Sequence, residues 1–119
     1  MARFVIIDDS KLARTFLKNI LTGAGHEVVA EGSTGLEGFD LYNQHKPDII
    51  TLDMIMPVFS GLDCLKKLME VEPEAKVVMV TSVGKDSFIE EAMSVGAKAV
   101  ILKPIQEAGV LSVVESVLK

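Results

Sequence analysis

The sequence predicts an α/β protein built on a parallel sheet, and two observations carry that expectation. Strand-like apolar runs alternate with segments of helical periodicity from one end of the chain to the other. Alternation of this kind places helices on both faces of a parallel sheet. Four of the runs also end in acidic, hydroxyl or basic side chains: Asp8 and Asp9, Asp53, Thr81 and Lys103. In an open α/β sheet, ligands bind outside the carboxyl ends of the strands, so these groups are expected to converge.

The first strand is expected at Arg3–Ile7. Ser10 then caps a helix whose apolar positions Ala13, Phe16, Leu17, Ile20 and Leu21 recur at helical spacing, and Gly23 and Gly25 end it. A short second strand, Glu27–Ala30, leads to a helix around Leu36, Phe39 and Tyr42. Gly35 and Gly38 weaken that helix by about 1 kcal/mol each relative to alanine, so packing must hold it.

The third strand lies in the run Pro47–Asp53, followed by a helix from about Gly61 through Leu62, Leu65, Leu68 and Met69 to the Pro73 region. Ala75–Val80 reads as the fourth strand, and a helix over Asp86–Val95 stops at Gly96. Ala97–Leu102 reads as the fifth, and the last helix uses Val110, Leu111, Val113, Val114, Val117 and Leu118.

With 119 residues, 49% of them hydrophobic and 24% charged, the chain fits one globular domain of ordinary size. A net charge of −5 argues against a nucleic-acid surface, which needs a basic stripe. There is no signal-peptide layout and no apolar stretch near the ~18 residues of a membrane span. The single cysteine, Cys64, allows no internal disulfide and suits a reducing compartment, so a cytoplasmic location is expected. Cys64 reads as a half-buried structural thiol, and His26 and His45 as surface residues without metal-ligand spacing.

Taken singly, each polar strand end has an ordinary explanation. An acidic pair suits a helix N-terminus, Asp53 suits a turn, Thr81 a cap, and Lys103 a solvated site before a proline turn. At four successive strand ends the ordinary explanations no longer suffice together. Several carboxylates in one pocket repel one another unless a cation sits among them. Mg²⁺ suits hard oxygen ligands and often shares its shell with a phosphate. A carboxylate can act as nucleophile toward phosphorus. The expected roles are therefore attack by Asp53, with Mg²⁺, Lys103 and the Thr81 hydroxyl each holding one phosphoryl oxygen.

These residues and their spacing resemble the receiver domain of two-component response regulators across essentially the whole chain. The matching pieces are Asp8-Asp9, Asp53 with Met56-Pro57 and Gly61 behind it, Thr81, and Lys103-Pro104. The resemblance implies a flavodoxin-like (βα)5 fold, a five-stranded parallel sheet in the order 2-1-3-4-5, an order the chemotaxis receiver exemplifies. It implies Mg²⁺ held by Asp9 and Asp53 directly, Asp8 through water, and the backbone carbonyl of Ile55, and a cis Lys103–Pro104 bond.

It further implies a phosphoacceptor protein, not an enzyme in its own right, that takes its phosphoryl group from a sensor histidine kinase. Residues 1–119 would form one receiver domain without an output domain, expected as a monomer. It would signal to a target protein through the face of the fourth helix, fifth strand and fifth helix, without nucleic acid or membrane. Val100 stands where many receivers place a switching aromatic, and Ile105 where many place a phenylalanine. Ile55 and Val83, both apolar and β-branched, are expected to flank the phosphate and slow its hydrolysis. Two alternatives are a phosphorelay intermediate that passes phosphate to a histidine phosphotransferase and, far behind, a flavin-binding electron carrier of the same fold.

Overall fold

A computed structural model describes residues 1–56, 58–82 and 84–119; Pro57 and Val83, both named in the sequence reading, lie outside the described residues. Strands and helices alternate strictly: β1 Arg3–Ile7, α1 Lys11–Gly23, β2 Glu27–Gly32, α2 Gly35–His45, β3 Ile49–Asp53, α3 Gly61–Val71, β4 Val77–Thr81, α4 Asp86–Val95, β5 Ala99–Leu102 and α5 Glu107–Leu118. The five strands form one parallel sheet in the order β2-β1-β3-β4-β5, as expected from the resemblance.

Side chains alternate across the pleat and divide the interior in two. Phe4, Ile6, Ile49, Val78 and Val80 pack with Leu17, Ile20 and Leu21 of α1 and with Val110 and Val114 of α5. On the opposite face Val5, Ile7, Ile50, Leu52, Val77 and Met79 pack with Tyr42 of α2, Cys64, Leu65 and Leu68 of α3, and Ala92 of α4. The three central strands are thus buried on both faces, which is why their sequences run apolar without alternation.

Local chemistry starts α1 and α3 where the sequence placed them. The Ser10 hydroxyl accepts from the Ala13 amide, and Ser60 and Asp63 form a reciprocal capping box at α3. Gly38 of α2 lies so close to Ile7, Leu52 and Cys64 that a Cβ would press on all three, and a Cβ on Gly35 would overlap the carbonyls of Phe59 and Ser60. The two glycines that weaken α2 intrinsically therefore let it approach β1, β3 and the loop before α3. Packing offsets the lost propensity.

Several local expectations change. β2 extends to Gly32, β4 begins at Val77 and includes Thr81, and β5 begins at Ala99. Cys64 is fully buried, and burial pushes its thiol up to about 12, so it is inert packing. Phe16, counted with the apolar stripe of α1, is half exposed. His26 and His45 are half-buried; the Nδ1 of His26 accepts from the Ala2 amide at 3.0 Å, and its ring meets Phe4 edge-on. Among the described residues no helix is long and apolar enough to cross a membrane.

Candidate functional site

Parallel pairing aligns the strand ends. Ile7 of β1 is level with Leu52, Asp53 with Val80, and Thr81 with Leu102, so the residues that end or follow these strands emerge along one edge. The Met54 amide continues the ladder to the Val80 carbonyl at 3.2 Å, and the Lys103 amide bonds to the Thr81 carbonyl at 2.8 Å. Asp53, Thr81 and Lys103 are therefore set by the sheet itself. The Lys103–Pro104 bond is cis, as expected.

The carboxylates meet there. Asp8, Asp9 and Asp53 each offer an oxygen, and these oxygens lie within 4.8 Å of one another. Asp8 and Asp53 are buried, whereas Asp9 is exposed. Nζ of Lys103 reaches back to Asp8 Oδ2 at 2.8 Å and to Asp53 Oδ2 at 3.4 Å, and so bridges the two buried carboxylates. Thr81 is buried at the end of β4.

Burial pushes the Asp53 carboxyl above its ordinary value; Lys103 opposes this, Asp8 adds to it by repulsion, and a hydrogen bond from the Ile55 amide opposes it again. For Lys103, burial alone pulls the ammonium down. The hydrogen bond to Asp8 and the charges of Asp53 and Asp8 outweigh burial and hold it above its ordinary value. One ammonium thus faces three carboxylates. The excess negative charge asks for a further cation.

The donor set fits Mg²⁺. Mg²⁺ takes hard oxygen ligands in a six-coordinate shell and keeps several waters, and three carboxylates whose oxygens lie within 4.8 Å of one another can share one such shell directly or through water. The exposed Asp9 leaves one side of the cluster facing solvent, where waters or a phosphoryl oxygen can complete the shell.

Two further residues support the site; the sequence reading missed Arg14 and named Gly61 only as a helix start and among the residues that carry the resemblance. Arg14, one turn into α1, donates from Nη1 to the Asp8 carbonyl at 2.6 Å, and its Nε lies 3.4 Å from Glu31 of β2. The Nε pair is an attraction of charges without good hydrogen-bond geometry, since among the described residues that nitrogen has no hydrogen-bond partner. With the bond from the Ser10 amide to Asp8 Oδ1 at 2.9 Å, Arg14 fixes the acidic loop. Nothing in the local pattern distinguishes Arg14 from a solvated helical arginine. The second support is Gly61, which sits against the Asp53 carbonyl and donates its amide to Met54 O at 3.1 Å, folding the loop back under the site.

Comparison with known proteins agrees with this geometry. Residues 4–115 match the response regulator receiver domain family. The chain is similar to the chemotaxis protein CheY of Listeria monocytogenes, with 41% identity over 119 residues and all of both chains covered. It is also similar to that of Thermotoga maritima, with 38% identity over 117 residues and 98% of each chain covered. Among solved structures it is similar to the CheX–CheY–BeF3–Mg²⁺ complex from Borrelia burgdorferi, with a TM-score of 0.96, 34% identity, and 98% of this chain and 89% of that one covered. Sheet order, clustered carboxylates and these matches agree: the chain belongs to the response regulator receiver domain family, the phosphorylation-dependent signalling switches of two-component systems.

Proposed function

We propose that Asp53 accepts a phosphoryl group from a phosphohistidine of a sensor kinase and that the chain then signals by protein contact in a chemotaxis-like pathway. The observation that carries this is the placement of Lys103 Nζ 2.8 Å from Asp8 and 3.4 Å from Asp53, within a cluster of three carboxylates. A carboxylate oxygen of Asp53 attacks phosphorus, the bond from phosphorus to the histidine nitrogen breaks, and an acyl phosphate results. Asp8, Asp9, Asp53 and the Ile55 carbonyl would hold Mg²⁺, which when bound neutralises charge on the transferred phosphoryl oxygens.

Lys103 supports a second oxygen, exchanging its contact with Asp53 for the phosphoryl group. The Thr81 hydroxyl serves a third. Burial that disfavours ionised Asp53 also makes it a more basic nucleophile once it is deprotonated. Arg14 and Ser10 hold the Asp8 loop so that little reorganises during transfer.

The output face is proposed to be α4, β5 and α5. β5 is an edge strand, and Leu102 and Met93 are large apolar residues left about half exposed there. The similarity to CheY proteins favours this chemotaxis-like output over a relay role.

Intact mass after treatment with a small-molecule phosphodonor and Mg²⁺ tests the reading. One phosphoryl group should add to the native chain and none to Asp53→Asn, and excess chelator should prevent the addition. An adduct that persists in Asp53→Asn, or that forms fully under chelation, overturns the assignment.

A further inference from the structure

A groove of about 530 Å³ opens between α1 and the segment that follows β5. Its floor is the α1/α5 face of the sheet, formed by Ile6, Thr51 and Val80, and Ala13, Leu17 and Ile105 wall it. The lining is almost wholly apolar. Its volume falls in the range of small-molecule sites, roughly 300–1,000 Å³.

Thr51 is out of character with this floor. It is 3% exposed, and among the described residues its hydroxyl has no hydrogen-bond partner. Its register neighbours are Ile6 on β1 and Val78 on β4, both fully apolar. Valine has the same shape and would fill the position without desolvating a hydroxyl. A lone water is a poor partner there, because a buried water needs two to four polar contacts and the floor offers one.

The mouth shows what kind of molecule the groove accepts. Phe16 and Leu12 of α1 border it and stand 50% and 82% exposed, so the entrance is apolar. Asp8 and Lys103 lie at the rim, but they are bonded to each other at 2.8 Å. That pair satisfies the charge of Lys103, and the remaining acidic groups of the cluster, Asp9 and Asp53, do not line the groove.

We infer that this groove binds a small, uncharged, largely apolar molecule whose single hydrogen-bonding group meets the Thr51 hydroxyl. The occupant would rest against Asp8 and Lys103, and so beside the carboxylate cluster.

The test is a methyl NMR titration of the full chain, without Mg²⁺ or phosphodonor, using benzyl alcohol, toluene and benzoate as probes. Benzyl alcohol should shift the methyls of Ile6, Leu17, Val80 and Ile105 saturably. Toluene, which lacks the hydroxyl, should bind roughly two- to tenfold more weakly, the range expected for one hydrogen bond. Benzoate should bind more weakly than benzyl alcohol.

Thr51→Val should abolish the preference for benzyl alcohol over toluene. Ala13→Leu should fill the groove and remove the shifts for both, with the rest of the spectrum reporting an intact fold. The inference is overturned if benzyl alcohol produces no saturable shift at these methyls, if benzyl alcohol and toluene bind equally to the native chain, or if Thr51→Val keeps the preference. Because no phosphoryl chemistry enters the titration, its failure leaves the role of Asp53 untouched, and loss of phosphorylation in Asp53→Asn leaves the groove untouched.

Discussion

The two ends of the central sheet use polar residues in opposite ways. At the amino ends of the strands several polar groups are matched one to one. The Arg3 amide donates to Asp48 Oδ2 at 2.8 Å, the Arg3 guanidinium reaches the His45 and Lys46 carbonyls at 3.0 and 3.2 Å, and His26 accepts from Ala2. At the carboxyl ends, Asp8, Asp9 and Asp53 crowd together, and the Lys103 ammonium pairs with only two of them. The sheet tolerates that excess because helices begin just beyond these ends: Lys11 opens α1, Gly61 α3 and Asp86 α4. Helix N-termini carry partial positive charge and free amides. One end is closed by its own hydrogen bonds. The other is stable enough to persist and charged enough to bind.

The largest expected effect probes how tightly the charged end is packed. Gly61→Ala puts a Cβ inside van der Waals distance of the Asp53 carbonyl, a backbone atom that cannot step aside. A loss of about 3 kcal/mol is expected in urea unfolding. A loss under ~0.5 kcal/mol would mean that the loop after β3 is loosely held.

Lys103→Met removes the ammonium bonded to both buried carboxylates and should cost about 2 kcal/mol at pH 7. The deficit has a definite sign with pH. Burial already holds Asp53 above its ordinary 3.8, and without Lys103 it rises further. The folded state then binds that proton more tightly than the unfolded chain, so the deficit should shrink as pH falls through the raised value toward 3.8. A deficit independent of pH would assign the loss to packing of the lysine stem.

Asp53→Asn works in the other direction. It removes a charge that burial and Asp8 disfavour and leaves Lys103 its bond to Asp8, so the variant should gain about 1 kcal/mol at pH 7, or about 4 °C in Tm. Calorimetry at pH 7 and below pH 4 checks this, and the gain should vanish at the lower pH, where the native carboxyl is protonated. Destabilisation at pH 7 would show that the contact with Lys103 outweighs burial.

Asp48→Ala, at the matched end, should cost only about 1 kcal/mol for one hydrogen bond to backbone. That cost should not change between pH 6 and 9. If it exceeded the cost of Lys103→Met, the contrast between the ends would not be electrostatic.

Much of this was legible in the sequence because the signals are local. β1 and α4 lie where the sequence placed them, since apolar runs and helix stops act within a few residues. Asp8, Asp9, Asp53, Thr81 and Lys103 could be named as a set because parallel strands deliver their last residues to one edge, whatever lies between them.

Tertiary structure alone decided the contacts that make those residues a site. Lys103 reaches Asp8 across 95 positions, and Arg14 ties α1 to both Asp8 and Glu31. Gly35 and Gly38, which read as weak helix positions, and Gly61, which read as a helix start, sit where backbone or side chains come too close for a Cβ. Phe16 follows the helical period yet stays half exposed, because the groove under α1 does not close over it. Sequence determines which local structures are stable and in what order they come. Which faces meet, and which charges are left without a full complement, depends on contacts between residues far apart in the chain, and those exist only once the sheet has assembled.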